Sequence, residues 1–143
     1  MTHPFAVPAS LSPDLARVQA YWRGLLRGAA EMPFADDLRL TDLPDLVGRL
    51  LLVEVFQGPE RFRFAEAGGA VGGVEMEGLF LDETELAYPL EFLRAQCSAT
   101  VESARPTCMR MAKAGAQKPY TRLLLPFWGD GRISAILGVV DFD

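Results

Sequence analysis

Two cysteines and a single histidine are the thiol and imidazole side chains of this sequence, and their spacing limits the nucleophilic or metal-binding chemistry they can do. Cys97 and Cys108 form no CxxC pair, and His3 lies between Thr2 and Pro4 at the start of the chain. A zinc site needs four nitrogen or sulfur ligands, which this set does not supply. A serine or cysteine nucleophile needs a base that a third group orients, and the lone imidazole sits in a proline-flanked segment where no such orientation is expected. Histidine-ligated haem is left without a ligand in the body of the chain. Both thiols therefore read as buried core residues.

The acids and glycines make weaker patterns. Asp36, Asp37, Asp42 and Asp45 crowd one stretch, but without the alternating ligands and central glycine of a calcium loop, so they read as a solvated acidic face. Gly68, Gly69, Gly72, Gly73 and Gly78 follow an alternating, strand-like segment, yet the GxGxxG spacing is absent and no Gly-Lys-Ser/Thr follows, which argues for tight turns rather than a phosphate cradle. A carboxylate raised in pKa inside a cone-shaped pocket is the remaining enzymatic option, of the kind small isomerases use, with Glu54 or Glu66 as the base. The plainer reading makes both glutamates solvent-facing strand positions. No catalytic residue and no metal site is assigned.

The elements that position these residues follow from periodicity. Ser12-Pro13-Asp14 offers a capping hydroxyl, a proline where its missing N–H is harmless, and a carboxylate at a helix start. Leu15, Val18, Trp22, Leu25 and Ala29 then recur at three- and four-residue steps, predicting a helix over 12–29 with one apolar stripe. That stripe can lie on the chain's own sheet or zip against a second copy. Arg17, Arg23 and Arg27 point elsewhere. Leu50 to Phe56 and Arg61 to Ala67 read as antiparallel strands around the turn Gln57-Gly58-Pro59-Glu60, with Phe62, Phe64 and Glu66 on one face of the second. A second long helix is expected over 88–103, with Leu90, Leu93, Cys97, Thr100, Val101 and Ala104 along one face, ended by Arg105-Pro106. Thr107, Met109 and Met111 alternate in a third strand; Tyr120 to Trp128 and Ile133 to Phe142 form a hairpin about Asp130-Gly131.

This order of elements suits an α+β fold: one antiparallel sheet with helices on a single face. The chain of 143 residues has room for one domain, over 12–143, behind a flexible tail over 1–11. Half of the residues are hydrophobic and 23% are charged, a balance that supports a packed globule. The net charge of -5 repels phosphate backbones and anionic membrane surfaces, so neither nucleic acid nor membrane is expected as a partner. No basic start followed by an apolar run opens the chain, and a soluble, cytoplasmic protein in a reducing compartment is expected.

Three segments resemble the PAS family, and in particular its short bacterial members with a Tyr-Trp helix ahead of the sheet. They are Tyr21-Trp22 with Leu26-Arg27 and Pro33, the strand Phe62-Arg63-Phe64-Ala65-Glu66-Ala67-Gly68, and Leu124-Leu125-Pro126-Phe127 with Asp130-Gly131 and the final strand. Their order and spacing, over nearly the full chain, carry the resemblance. It implies a five-stranded antiparallel sheet with small helices and one longer helix folded over it, enclosing a space where many PAS domains hold a ligand or cofactor and others hold nothing. The sequence departs from the family at Gly72-Gly73-Val74-Glu75-Met76-Glu77-Gly78, where a polar Gly-Arg-containing segment is usual. The Asn-Cys-Arg context of flavin-binding light sensors is also absent around Cys97 and Cys108.

Under this resemblance the candidate pocket residues are Phe62, Phe64, Leu93, Cys97, Met109, Met111 and Leu125, which either line a hollow or fill it. Any ligand is expected to be an apolar small molecule with few polar anchors; the cofactor is unknown. The expected function is that of a stand-alone sensory or regulatory domain, not an enzyme, that signals to an unidentified effector through protein contact. A homodimer through Leu15, Val18, Trp22 and Leu25 is the expected route of output. The alternatives are a ligand-free adaptor and, more distantly, a small isomerase.

Overall fold

The computed structural model describes residues 5–112 and 115–143. Helix α1 spans Pro13–Gly24, strands β1 and β2 span Leu50–Phe56 and Arg61–Ala67, helix α2 spans Leu93–Ser103, and strands β3, β4 and β5 span Thr107–Met111, Tyr120–Gly129 and Arg132–Phe142. Short 3-10 turns fill the connections between α1 and β1 and between β2 and α2. The strands form one five-stranded sheet in the order β2-β1-β5-β4-β3, every neighbouring pair antiparallel. This α+β architecture, one five-stranded antiparallel sheet with two helices, is the fold class expected from the sequence.

Local chemistry explains the boundaries. Asp130 and Gly131 both take positive φ, 53° and 77°, as a tight hairpin between β4 and β5 requires. Pro13 opens α1 as expected, but Ser12 makes no side-chain cap, and Asp14 instead reaches Arg49 at 2.6 Å. Helix α1 stops at Gly24, short of the expected end at 29, because the amides of Leu25 and Leu26 close onto the Trp22 and Arg23 carbonyls. Helix α2 starts at Leu93, later than expected, because Phe92 sits at φ 62° and cannot continue a right-handed turn.

The sheet is covered on both faces, so helices do not share one side. Across one face, Leu93 and Cys97 of α2 pack with Phe62, Phe64, Val53, Leu124 and Ile136. Across the other, Leu15, Val18 and Trp22 of α1 pack with Leu43, Leu46, Leu123, Leu125, Phe127 and Leu137. The period of two in β4 and β5 sends alternate side chains to the two cores, which is why these strands read as nearly continuous apolar runs. Residues 5–11, expected as a tail, lie along the domain: Val7 and Leu11 pack against the α1 core, and the Phe5 carbonyl accepts from the Cys108 amide at 2.8 Å.

Candidate functional site

The side chains under α2 pack against one another. Phe64, Leu93 and Cys97 are fully buried, Phe62 is nearly so, and Met109 and Met111 pack against them. Six of the seven pocket candidates are thus brought together, but as core. Leu125 is the exception and is corrected: it belongs to the α1 side of the sheet, and its neighbour Leu124 takes the position under α2. The one-residue difference moves the side chain to the opposite face. Burial pushes the Cys97 thiol up to about 12 and the Cys108 thiol up to about 11, so both stay protonated and inert at neutral pH.

The dimer stripe is corrected in the same way. Leu15, Val18 and Trp22 are buried on the chain's own sheet, and the Trp22 indole donates to the Pro126 carbonyl at 2.8 Å. Leu25 is half-buried against the same core. Those side chains present no apolar face to a second copy. Arg17 pairs with Asp45, Arg27 with Asp37 at 2.7 Å, and the Tyr21 hydroxyl with Asp42 at 2.9 Å. Two of the acids expected as a solvated face, Asp42 and Asp45, thereby tie the connector between α1 and β1 onto α1.

Neither candidate base occupies a pocket. Glu54 holds Arg63 through two bonds of 3.1 Å, and Glu66 is exposed. Glu66 does not share the face of Phe64, because the register shifts between Leu52 and Val53, pairing Glu66 with Leu52 and Phe64 with Val53. The extra residue of this bulge, Ala65, turns the glutamate outward.

The polar feature of the interior is one the sequence reading did not single out. Arg122 of β4 is wholly buried beneath the entry to α2. Its guanidinium donates to Gln96 Oε1 at 2.8 Å, the Pro89 carbonyl at 3.0 Å and the Glu91 carbonyl at 2.8 Å. No carboxylate pairs with it among the described residues, and burial lowers its pKa from the usual arginine value. Gln96 donates onward to Thr107 Oγ1 at 3.2 Å and to the Arg122 carbonyl at 3.1 Å. Thr107 and Thr100 share a hydrogen bond of 2.6 Å, and Thr100 also donates to the Gln96 carbonyl at 2.8 Å. Nearby, the Tyr120 hydroxyl donates to Glu91 at 2.7 Å, and burial together with that carboxylate raises the phenol's pKa. The available signal was parity: Tyr120 and Leu124 face α2, so Arg122 between them must do so too.

One end of this network meets a surface groove of about 640 Å³. The N-terminal segment (Phe5, Ala6, Val7), α1 (Gln19, Trp22, Arg23) and the α2–β3 junction (Ser103, Arg105, Pro106, Thr107) form its walls. Thr107 thus belongs both to the groove and to the buried chain that ends at Arg122. A smaller groove of about 470 Å³ lies between β2 and α2, lined by Phe62, Phe92 and Arg94. Among the described residues, no helix is long and apolar enough to cross a membrane.

Neither a protein-family model nor a curated protein matches the chain. Among solved structures it is similar to an RNA-binding light-oxygen-voltage receptor, at 16% identity and a TM-score of 0.40, over 66% of this chain and 29% of that one. The chain therefore spans under a third of that receptor's length.

Proposed function

We propose that this chain is a PAS-type regulatory domain that responds to a small molecule at the groove between its N-terminal segment, α1 and the α2–β3 junction, and passes the response to another protein by contact. The observation that carries this reading is the position of Thr107, a wall residue of the groove that is hydrogen-bonded through Gln96 to the buried Arg122. Arg122 in turn holds the carbonyls of Pro89 and Glu91, the turn that leads into α2. Occupancy at one end of α2 has a hydrogen-bonded route to its other end, and a ligand that prefers one arrangement shifts the population toward it. The packed interior argues against a ligand held under α2, and the outward placement of Glu54 and Glu66 argues for regulation over catalysis.

The test needs no ligand. Ser103→Phe places a ring in the groove, and its effect is read by amide hydrogen exchange across residues 88–103. The expected result is a change of about threefold or more in exchange rates at the 88–92 turn, abolished when Thr107→Val is added. Unchanged exchange at that turn, in a variant that remains folded, refutes the transmission. The closed interior also favours a second reading, a ligand-free adaptor, for which the exposed ring of Phe92 is the natural contact. Under it, Phe92→Ser abolishes partner capture while Ser103→Phe leaves both capture and exchange unchanged.

A further inference from the structure

The groove carries local positive charge on a chain whose net charge is negative. The chain carries a net charge of -5, and most of its arginines are engaged: Arg17, Arg27, Arg49, Arg61, Arg63 and Arg110 in ion pairs, Arg122 and Arg132 on carbonyl oxygens. The side chains of Arg23, Arg39, Arg94 and Arg105 are not so engaged, and two of them, the exposed Arg23 and Arg105, meet at this groove. Among the described residues neither side chain has an ion-pair or hydrogen-bond partner, both line this one groove, and no carboxylate lines it with them. The Ser103 hydroxyl, also on the wall, is buried and without a hydrogen-bond partner. The ends of α1 and α2 lie beside the groove and contribute roughly half a negative charge each, against the full positive charge of each guanidinium, so the local balance stays positive. Trp22, Val7 and Pro106 supply apolar wall, and a volume of about 640 Å³ falls in the range that encloses small organic molecules.

We propose that this groove binds small amphiphilic carboxylates, the carboxylate toward Arg23 and Arg105 and the apolar body on Trp22, Val7 and Pro106. The proposal rests on the regulatory reading of the groove and adds the chemical class of its ligand. Arginine suits this task because its planar donors match a carboxylate's two oxygens, whereas a neutral alcohol of the same shape forgoes the charge-assisted bonds. An unpartnered hydroxyl at Ser103 gives a third donor on the same wall.

The experiment titrates the full chain with 4-phenylbutyrate, and in parallel with 4-phenylbutanol and 4-phenylbutylamine, by calorimetry and by the indole N–H resonance of Trp22, assigned by comparison with Trp128→Phe. Phenylbutyrate is expected to bind and shift that resonance, with the alcohol and the amine weaker by about tenfold or more. Arg23→Gln and Arg105→Gln are each expected to weaken phenylbutyrate binding by about fivefold to tenfold and to leave the alcohol's binding unchanged. Equal binding of acid and alcohol, or acid binding unaffected in both arginine variants, overturns the carboxylate assignment. So does failure of the acid to bind at all. The exchange response to Ser103→Phe is independent of ligand, so it distinguishes a wrong ligand class from a groove that transmits nothing.

Discussion

Replacing Arg122 by methionine tests the claim that a buried cation without a carboxylate partner holds this fold together. Methionine keeps much of the volume and removes the guanidinium's donated hydrogen bonds, among them those to three oxygens: Gln96 Oε1 and the carbonyls of Pro89 and Glu91. Two opposing terms apply. Removing a desolvated charge is favourable, and well-packed apolar replacements of buried ions are often neutral or stabilising. Against this, three buried acceptors lose their donor, and each unsatisfied group costs about 1–3 kcal/mol. Two of them are backbone carbonyls in the turn before α2, where no side-chain substitution can remove them. The loss term therefore wins, and Arg122→Met is expected to destabilise by about 3–5 kcal/mol, read as a lower urea midpoint with an unchanged slope. Arg122→Met with Gln96→Leu removes one orphaned acceptor and is expected to recover about 1 kcal/mol relative to the sum of the two single changes. A loss under about 1 kcal/mol for Arg122→Met would show that the network is incidental to stability.

Further outcomes follow from the same structure. With burial holding Cys97 up to about 12 and Cys108 up to about 11, neither thiol reacts with a disulfide reagent at neutral pH in the native protein, and both react together on unfolding; rapid labelling of either in the native state contradicts their burial. Because the folded pKa values exceed the ordinary thiol value, the native state binds more protons than the unfolded chain above about pH 9, so stability falls as pH rises from there toward 11–12; a urea midpoint that holds constant over that interval counts against it. A Cβ at Gly68 meets the Val47 carbonyl oxygen at 2.3 Å and that of Gly48 at 2.4 Å, whereas one at Gly69 meets nothing, so Gly68→Ala is expected to cost about 2 kcal/mol or more and Gly69→Ala less than about 0.5, by thermal unfolding. Arg49→Met cuts ion pairs to Asp14 and Asp141 and a bond to the Val140 carbonyl, linking α1 to β5, and is expected to lower stability by about 1–2 kcal/mol; a change below about 0.5 would make the link superficial.

The elements were legible because their signals are local. Alternation in Arg61-Phe62-Arg63-Phe64 identified β2, and Asp130-Gly131 identified the β4–β5 turn. The layers were less legible, because an apolar stripe states that a helix buries a face but not against what. Leu15, Val18 and Trp22 can also be read as a dimer seam until the sheet's second apolar face is known to exist. Leu125 and Leu124 are indistinguishable by type, so choosing the pocket-facing one required register, and the Ala65 bulge that turns Glu66 outward has no sequence mark of its own. Arg122 was overlooked for a related reason: an arginine in a strand reads as exposed unless its flanking same-face neighbours are both buried. The groove brings together residues 5–7, 19–23 and 103–107, a juxtaposition that only the tertiary fold supplies.

The same register gives β4 a second role. The Pro126 carbonyl accepts from the Trp22 indole on the α1 side, while Arg122 binds Gln96 and the entry to α2 on the other. One strand therefore carries a buried hydrogen bond to each helical layer, and the groove lies where Trp22 and Thr107, members of the two sets, share a wall. A ligand bound there, as proposed, would touch both layers at once. Trp22→Phe, which replaces the indole by a ring without its donor, is expected to alter exchange in α2 as well as in α1. Altered exchange confined to α1 would show that the layers respond separately, and would restrict the groove's influence to the Thr107–Gln96–Arg122 side.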